Sequence, residues 1–248
     1  MGQPFDFRVL ADRSVEVAYS TGDQDGTVQV CRIGEDSVTP LESLKGIWGP
    51  KLIPDARVET VVGLRLQPRS PGSDDWKSTG IAVAAVKPEE GGKQAGESLL
   101  ALGKGPIQVF RLAAGVFIVQ GADVLELGVD HREVGRWKLE GPSDSRIFSP
   151  QVVGEANAPL VVAVAHSAKG EEIVSGALGQ TLGGKVSDRL VPRIGNLQAL
   201  QAGNSIYCFW TEQQGRTRRL MVDASQDHGK SWGTDRVLAE AVRDVTFD

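Results

Sequence analysis

Few groups in this sequence have the spacing that chemistry demands. The two cysteines, Cys31 and Cys208, stand far apart in apolar runs, and His131, His166 and His228 show no ligand spacing, so no zinc set forms. Two buried thiols are the expectation, with a disulfide between them as the open alternative. There is no G-x-S-x-G, P-loop, H-E-x-x-H or C-x-x-C motif. Asp23-Gln24-Asp25-Gly26 has the start of a calcium loop but lacks its later glutamate. Neither a metal nor a cofactor is expected. One run has a definite physical reading, Ser225-Gln226-Asp227-His228-Gly229-Lys230-Ser231-Trp232. Its Asp227 carboxylate suits a tight turn, accepting backbone N–H groups. Gly229 supplies a conformation that a β-carbon opposes, and Trp232 covers the hairpin with apolar area.

These residues need elements to hold them, and the elements read as strands. Short apolar runs rich in β-branched and aromatic residues recur, among them Gly80–Val86, Leu160–Ala165 and Ser205–Trp210, with turn residues between them. Helical periodicity is nearly absent. The polar, glycine-rich stretch from Lys87 to Glu97 reads as an exposed hairpin loop. A proline precedes a strand-like run at Pro4, Pro50, Pro106, Pro150 and Pro192. Ser187-Asp188-Arg189-Leu190-Val191 also recurs as Thr234-Asp235-Arg236-Val237-Leu238. A period of about 40–50 residues, with four short strands in each unit, is a propeller signature. The fold expected is all-β, a β-propeller of about five four-stranded blades, with six as the alternative. One domain over residues 1–248 is expected, with approximate blades 4–49, 50–105, 106–149, 150–191 and 192–248. Phe5-Asp6-Phe7-Arg8 and Val245-Thr246-Phe247 are both strand-like, so the two chain ends are expected to close one blade together.

Composition excludes several classes. The chain has 248 residues, 40% of them hydrophobic, and a net charge of −5. That apolar share supports a packed core, and a duplex nucleic-acid binder would carry a basic excess. The largest basic cluster is Arg216, Arg218 and Arg219. No run approaches the ~20 apolar residues of a membrane span, and no secretory leader pattern opens the chain. A mature secreted or periplasmic domain is slightly favoured over a cytoplasmic one.

The run from Ser225 to Trp232 resembles the Asp-box (BNR repeat), S-x-D-x-G-x-T-W, of sialidases and related β-propellers, with Ser231 in place of threonine. The resemblance implies a structural role for Ser225, Asp227, Gly229, Ser231 and Trp232 on the outer side of the propeller. It also implies second, third and fourth strands around Gly203–Glu212, Leu220–Val222 and Arg236–Leu238. A full sialidase resemblance would further imply three arginines on a carboxylate, a Tyr–Glu nucleophile pair and an aspartic acid/base. Candidates exist for parts of this set. Arg8, Arg146 and Arg193 precede apolar residues near unit starts, so they would face one channel if innermost strands begin there. Tyr207 and Glu212 complete the list, against the plainer reading of a half-buried tyrosine and a surface glutamate. Asp23 and Asp25 are the only acids near the acid/base position, so the catalytic set is incomplete. The function expected is a non-catalytic propeller that binds a glycan or a protein. The alternatives are a sialidase-type glycoside hydrolase and a docking subunit of a larger complex, with the Lys87–Glu97 loop as contact.

Overall fold

The computed structural model describes residues 5–21, 26–53, 59–69, 76–86, 98–100, 107–112, 115–128, 132–155 and 158–242. Among them there is no helix, and the strands form five four-stranded sheets. The first contains β1 (Phe5–Val9), β2 (Val15–Ser20), β3 (Val28–Ile33) and β4 (Val38–Leu44). The second contains β5 (Ile47–Ile53), β6 (Glu59–Pro68), β7 (Trp76–Val86) and β8 (Ser98–Leu100). The third contains β9 (Ile107–Leu112), β10 (Gly115–Gln120), β11 (Asp123–Leu127) and β12 (Glu133–Lys138). The fourth contains β13 (Arg146–Glu155), β14 (Ala158–Ser167), β15 (Gly170–Ala177) and β16 (Gly184–Lys185). The fifth contains β17 (Arg193–Ala202), β18 (Ser205–Gln214), β19 (Thr217–Ser225) and β20 (Arg236–Val242). In every sheet the strands lie in chain order. Such antiparallel meanders in succession are the blades of a β-propeller.

Burial explains the strand sequences. β14 is buried over Leu160–Ala165 and lies between β13 and β15, so both its faces need apolar residues. β18 alternates instead, burying Ile206, Cys208 and Trp210 on one face. β16, an edge strand, has only two residues, which leaves little unpaired backbone to recruit another chain.

The chain divides into two compact units, residues 1–111 with 127–133, and residues 112–126 with 134–248. In the first, Ala18, Val28 and Val30 pack against Ile47, Leu52 and Val61. In the second, Leu160, Val162 and Ile173 pack against Ile206, Cys208, Trp210 and Met221.

One expectation is corrected. Pro50 and Pro150 lie inside β5 and β13, not ahead of a strand. Each sits at a register shift, between Trp48 and Lys51 and between Phe148 and Gln151. Gly49 and Ser149 just before them have left-handed φ of 63° and 47°. A bulge leaves one residue outside the ladder, so a proline without an N–H is tolerated there. Pro192 does precede β17, and Pro4 and Pro106 lie outside the described residues. The closure of one blade by both chain ends rests on Val245-Thr246-Phe247, which lies outside the described residues.

Candidate functional site

In an antiparallel meander, the starts of the first and third strands share one end with the finishes of the second and fourth. In the fourth and fifth sheets this end carries most of the polar candidates. Arg146 opens β13 and is the ladder partner of His166 on β14, which in turn partners Glu171 on β15. Arg193 opens β17 in the equivalent place, partnered by Gln213 and then Arg218. β13 lies beside β17. Among the described residues, Arg146 and Arg193 make no hydrogen bond or ion pair.

Glu171 organises this end. Its Oε1 lies 3.0 Å from His166 Nδ1, and its Oε2 accepts the Ile194 N–H at 2.5 Å. Phe148 stands edge-on to the imidazole, ring centroids 6.1 Å apart, and is 48% exposed. Beside it an open pocket of about 550 Å³ is lined by Ala122, Leu139 and residues 140–148, Arg146 and Phe148 included. The pocket loop is fixed by a tight turn in which Ser145 donates from Oγ to Pro142 O at 2.6 Å, with Asp144 at a φ of 64°.

Glu212 is buried, contrary to the surface role expected. It accepts Trp210 Nε1–H at 3.1 Å and Arg189 Nη2 at 2.9 Å. A buried carboxylate needs such partners, and here they occupy both oxygens. Tyr207 is half-buried and lies elsewhere. It partners Leu200 and Ala224, whereas Arg193 partners Gln213, six residues further along β18. At roughly 3.4 Å per residue that is about 20 Å. Five residues separate Tyr207 from Glu212, which puts them on opposite faces about 17 Å apart. No Tyr–Glu nucleophile pair is assembled. Arg8 belongs to the first unit, where its Nε donates to Glu16 and its Nη1 to Ile53 O at 3.3 Å. Glu16 is fully buried and also takes Arg32 Nη2 at 2.8 Å. Arg8 is thus committed inside its own unit. Asp23, Asp25 and the Lys87–Glu97 loop lie outside the described residues.

The turn 225–232 stands at the opposite end of the fifth sheet. Asp227 Oδ1 accepts the Ser225 hydroxyl at 2.8 Å and the Ser231 N–H at 2.9 Å, and its Oδ2 accepts the Ser231 hydroxyl at 2.6 Å. These bonds, from Ser231 first and then Ser225, hold its carboxyl well below the usual range. Ser225 Oγ in turn accepts the Gly229 N–H at 2.7 Å. Gly229 has a φ of 85°, and a β-carbon there would meet the Leu160 side chain, which would have to shift. Trp232 reaches further than its own hairpin, donating Nε1–H to Ser175 of the fourth sheet at 3.0 Å.

A second tie between these sheets uses the repeated Asp-Arg pair. Asp188 N–H donates to Asp235 Oδ2 at 3.0 Å, and Asp235 N–H donates to Asp188 Oδ2 at 2.9 Å. Burial, then the charges of Asp188, Asp223 and Glu212, push the Asp235 carboxyl up to about 6. Burial likewise raises Asp223, next to this pair. Both cysteines are free, and burial raises the Cys208 thiol. Among the described residues no three His, Cys, Asp or Glu side chains are grouped to hold a metal ion, and no helix is long and apolar enough to cross a membrane.

Sequence reasoning missed Glu171, Arg189 and the role of His166. A signal for the first existed. Ala168-Lys169 is a two-residue turn, so the hairpin places His166 opposite Glu171.

No family model and no curated protein matches the chain. Among solved structures it is similar to a functionally unknown protein from Desulfotomaculum acetoxidans DSM 771. That match has a TM-score of 0.56 and 12% identity, covering 100% of this chain and 73% of that one. The GH43 protein BlXynB from Bacillus licheniformis gives a TM-score of 0.44 at 10% identity, covering 99% and 58%. The Hadza microbial sialidase Hz136 gives 0.48 at 12%, covering 98% and 60%. The chain spans less than two thirds of the length of these last two. At such identities likeness speaks for fold alone, and the fold is an all-β propeller type.

Proposed function

We propose that this chain is a non-catalytic Asp-box β-propeller, one domain over residues 1–248, that binds a glycan. The observation that carries the reading is the open pocket of about 550 Å³ between the 140–145 loop and β13. It presents an exposed ring, Phe148, beside the unpaired guanidinium of Arg146. Sugar sites combine apolar surface with a few convergent polar groups. Residues 225–232 serve as the Asp-box, locking a corner at the far end. The registers weigh against hydrolysis of the sialidase type, because Tyr207 lies about 20 Å along β18 from the step of Arg193. A glycan array probed with the wild-type chain and Arg146→Ala tests the reading. Retention of one glycan class that the variant loses supports it, and no retention at all refutes it. Turnover of a fluorogenic sialoside by the wild type, lost in Arg193→Ala, would refute the non-catalytic part.

A second reading, docking to a protein, is favoured by the first sheet. Phe5, Phe7, Val9 and Tyr19 are 61%, 59%, 67% and 40% exposed, and Phe5 and Tyr19 are ladder partners. Patches of this kind mark interaction sites. Loss of binding to a captured partner in Phe7→Ser, with glycan binding unchanged, would identify it.

A further inference from the structure

The first sheet presents its apolar face to water, and from this we propose that it is a homodimer interface, packed on the same face of a second copy of this chain. The inference rests on the docking reading above and names the partner.

The strand sequence shows the inversion. Phe5-Asp6-Phe7-Arg8-Val9 alternates apolar with charged, a pattern that ordinarily turns the apolar set to the core. Here the charged set turns inward. Asp6 accepts the Leu52 N–H of the second sheet at 2.9 Å. Arg8 pairs with Glu16, which is fully buried and also holds Arg32. The phenylalanines are left outside.

The outer face is continuous. Its three ladder rows start at Phe5, Phe7 and Val9 on β1 and end at Ser43, Pro40 and Val38 on β4. No Asp, Glu, Lys or Arg stands in any row. Gln29 donates to Ser43 Oγ at 3.1 Å, so the polar corner is paired within the face. The exposed Phe5, Phe7, Val9, Tyr19, Ile33 and Val38 together present about 600 Å². That is the upper end of what a monomer leaves open to water.

Charge and area select the occupant. A two-fold contact sets a patch against itself, so any charge on it would meet its own kind. A face without charge escapes that penalty. Two copies stacked sheet on sheet would remove roughly 1,200 Å² from water, the lower end of a specific interface. Each copy carries a net charge of −5, so the two repel at long range and salt should favour their union. A basic partner would be released by salt instead.

Sedimentation velocity on the full chain, from about 1 to 200 µM, gives the test. The mass should rise from one chain to two, with half-dissociation in the micromolar range. Added salt should tighten the dimer. Phe7→Ser and Val38→Lys alter exposed side chains, so both should keep their circular dichroism and weaken the dimer at least about tenfold. Val134→Ser, at an exposed apolar residue on β12, should leave it unchanged. Cys31 lies in the middle row. Its reaction with a thiol reagent should slow severalfold as the wild type is concentrated, and should not slow in Val38→Lys. A dimer that neither variant weakens would overturn the inference, as would a chain that stays monomeric across the range. If that monomer binds another protein and loses it in Phe7→Ser, the docking reading stands with a different partner. If it binds none, both fall.

Discussion

The reciprocal Asp188–Asp235 contact makes a prediction with a sign that runs against habit. Most folded carboxylates are depressed and lose stability in acid. Asp235 is raised from an ordinary 3.8 to about 6, so the folded chain holds its proton more tightly than the unfolded chain does. Its contribution is complete below about 4 and is lost as pH rises through 6. A rise of about two pH units is worth about 3 kcal/mol at most, at 1.36 kcal/mol per unit. The residue is partly exposed, and solvent screening reduces this to about 1–2 kcal/mol. Asp235→Asn removes the charge, keeps an oxygen for the Asp188 N–H, and puts an amide where Oδ1 is buried without a partner. Urea midpoints at pH 4.5 and pH 7.5 give the readout. The variant should be the more stable protein at pH 7.5, by about 1–2 kcal/mol, and should lose that advantage at pH 4.5. Wild-type and variant midpoints that run parallel across the two pH values would refute the reasoning.

Three further outcomes are expected. Gly229→Ala places a β-carbon at a φ of 85° and against Leu160, so a thermal melt should show a loss of about 2–3 kcal/mol. Glu212→Ala strands the buried Trp210 Nε1–H and releases Arg189, whose side chain is 51% exposed and can turn to solvent. It should cost about 1–3 kcal/mol by denaturant titration, with glycan affinity unchanged in the surviving folded chain. Cys208 is fully buried with its thiol raised, whereas Cys31 is half-buried. A disulfide reagent should therefore modify Cys31 first and reach Cys208 only on unfolding.

The parts of the fold that depend on local pattern were legible. Strand lengths, the turn at Ser225–Trp232 and the repeat of Asp188-Arg189 as Asp235-Arg236 are local facts, and the five sheets follow them. Pro50 and Pro150 misled because a proline before an apolar run looks like a strand start. Only the ladder shows that it occupies the unpaired step of a bulge. Glu212 misled for a related reason. Its neighbours Gln213 and Gln214 are exposed, and nothing nearby in sequence announces Arg189, which arrives from the preceding sheet. Burial of a charge is decided by its distant partner, which a sequence does not display.

The same logic decides which arginine is free to meet a ligand. Arg8, Arg146 and Arg193 all sit on first strands, and their ladder partners are Glu16, His166 and Gln213. Glu16 is buried and anionic, so it takes Arg8 as a structural ion pair and leaves nothing to offer. His166 is held through Nδ1 by Glu171 and offers Arg146 no carboxylate. The bulges reinforce this. β13 and β17 each gain a residue, at Ser149 and Asn196 with φ of 47° and 49°. One extra residue exchanges the two faces of a strand. Phe148 therefore shares a face with buried Gln151 and Val153, not with Pro150 and Val152. β1 pairs with β2 without a shift. A family pattern of arginines at unit starts is thus compatible with opposite fates. The residue across the ladder, and the bulge below it, determine whether the guanidinium reaches a ligand or a carboxylate of its own chain.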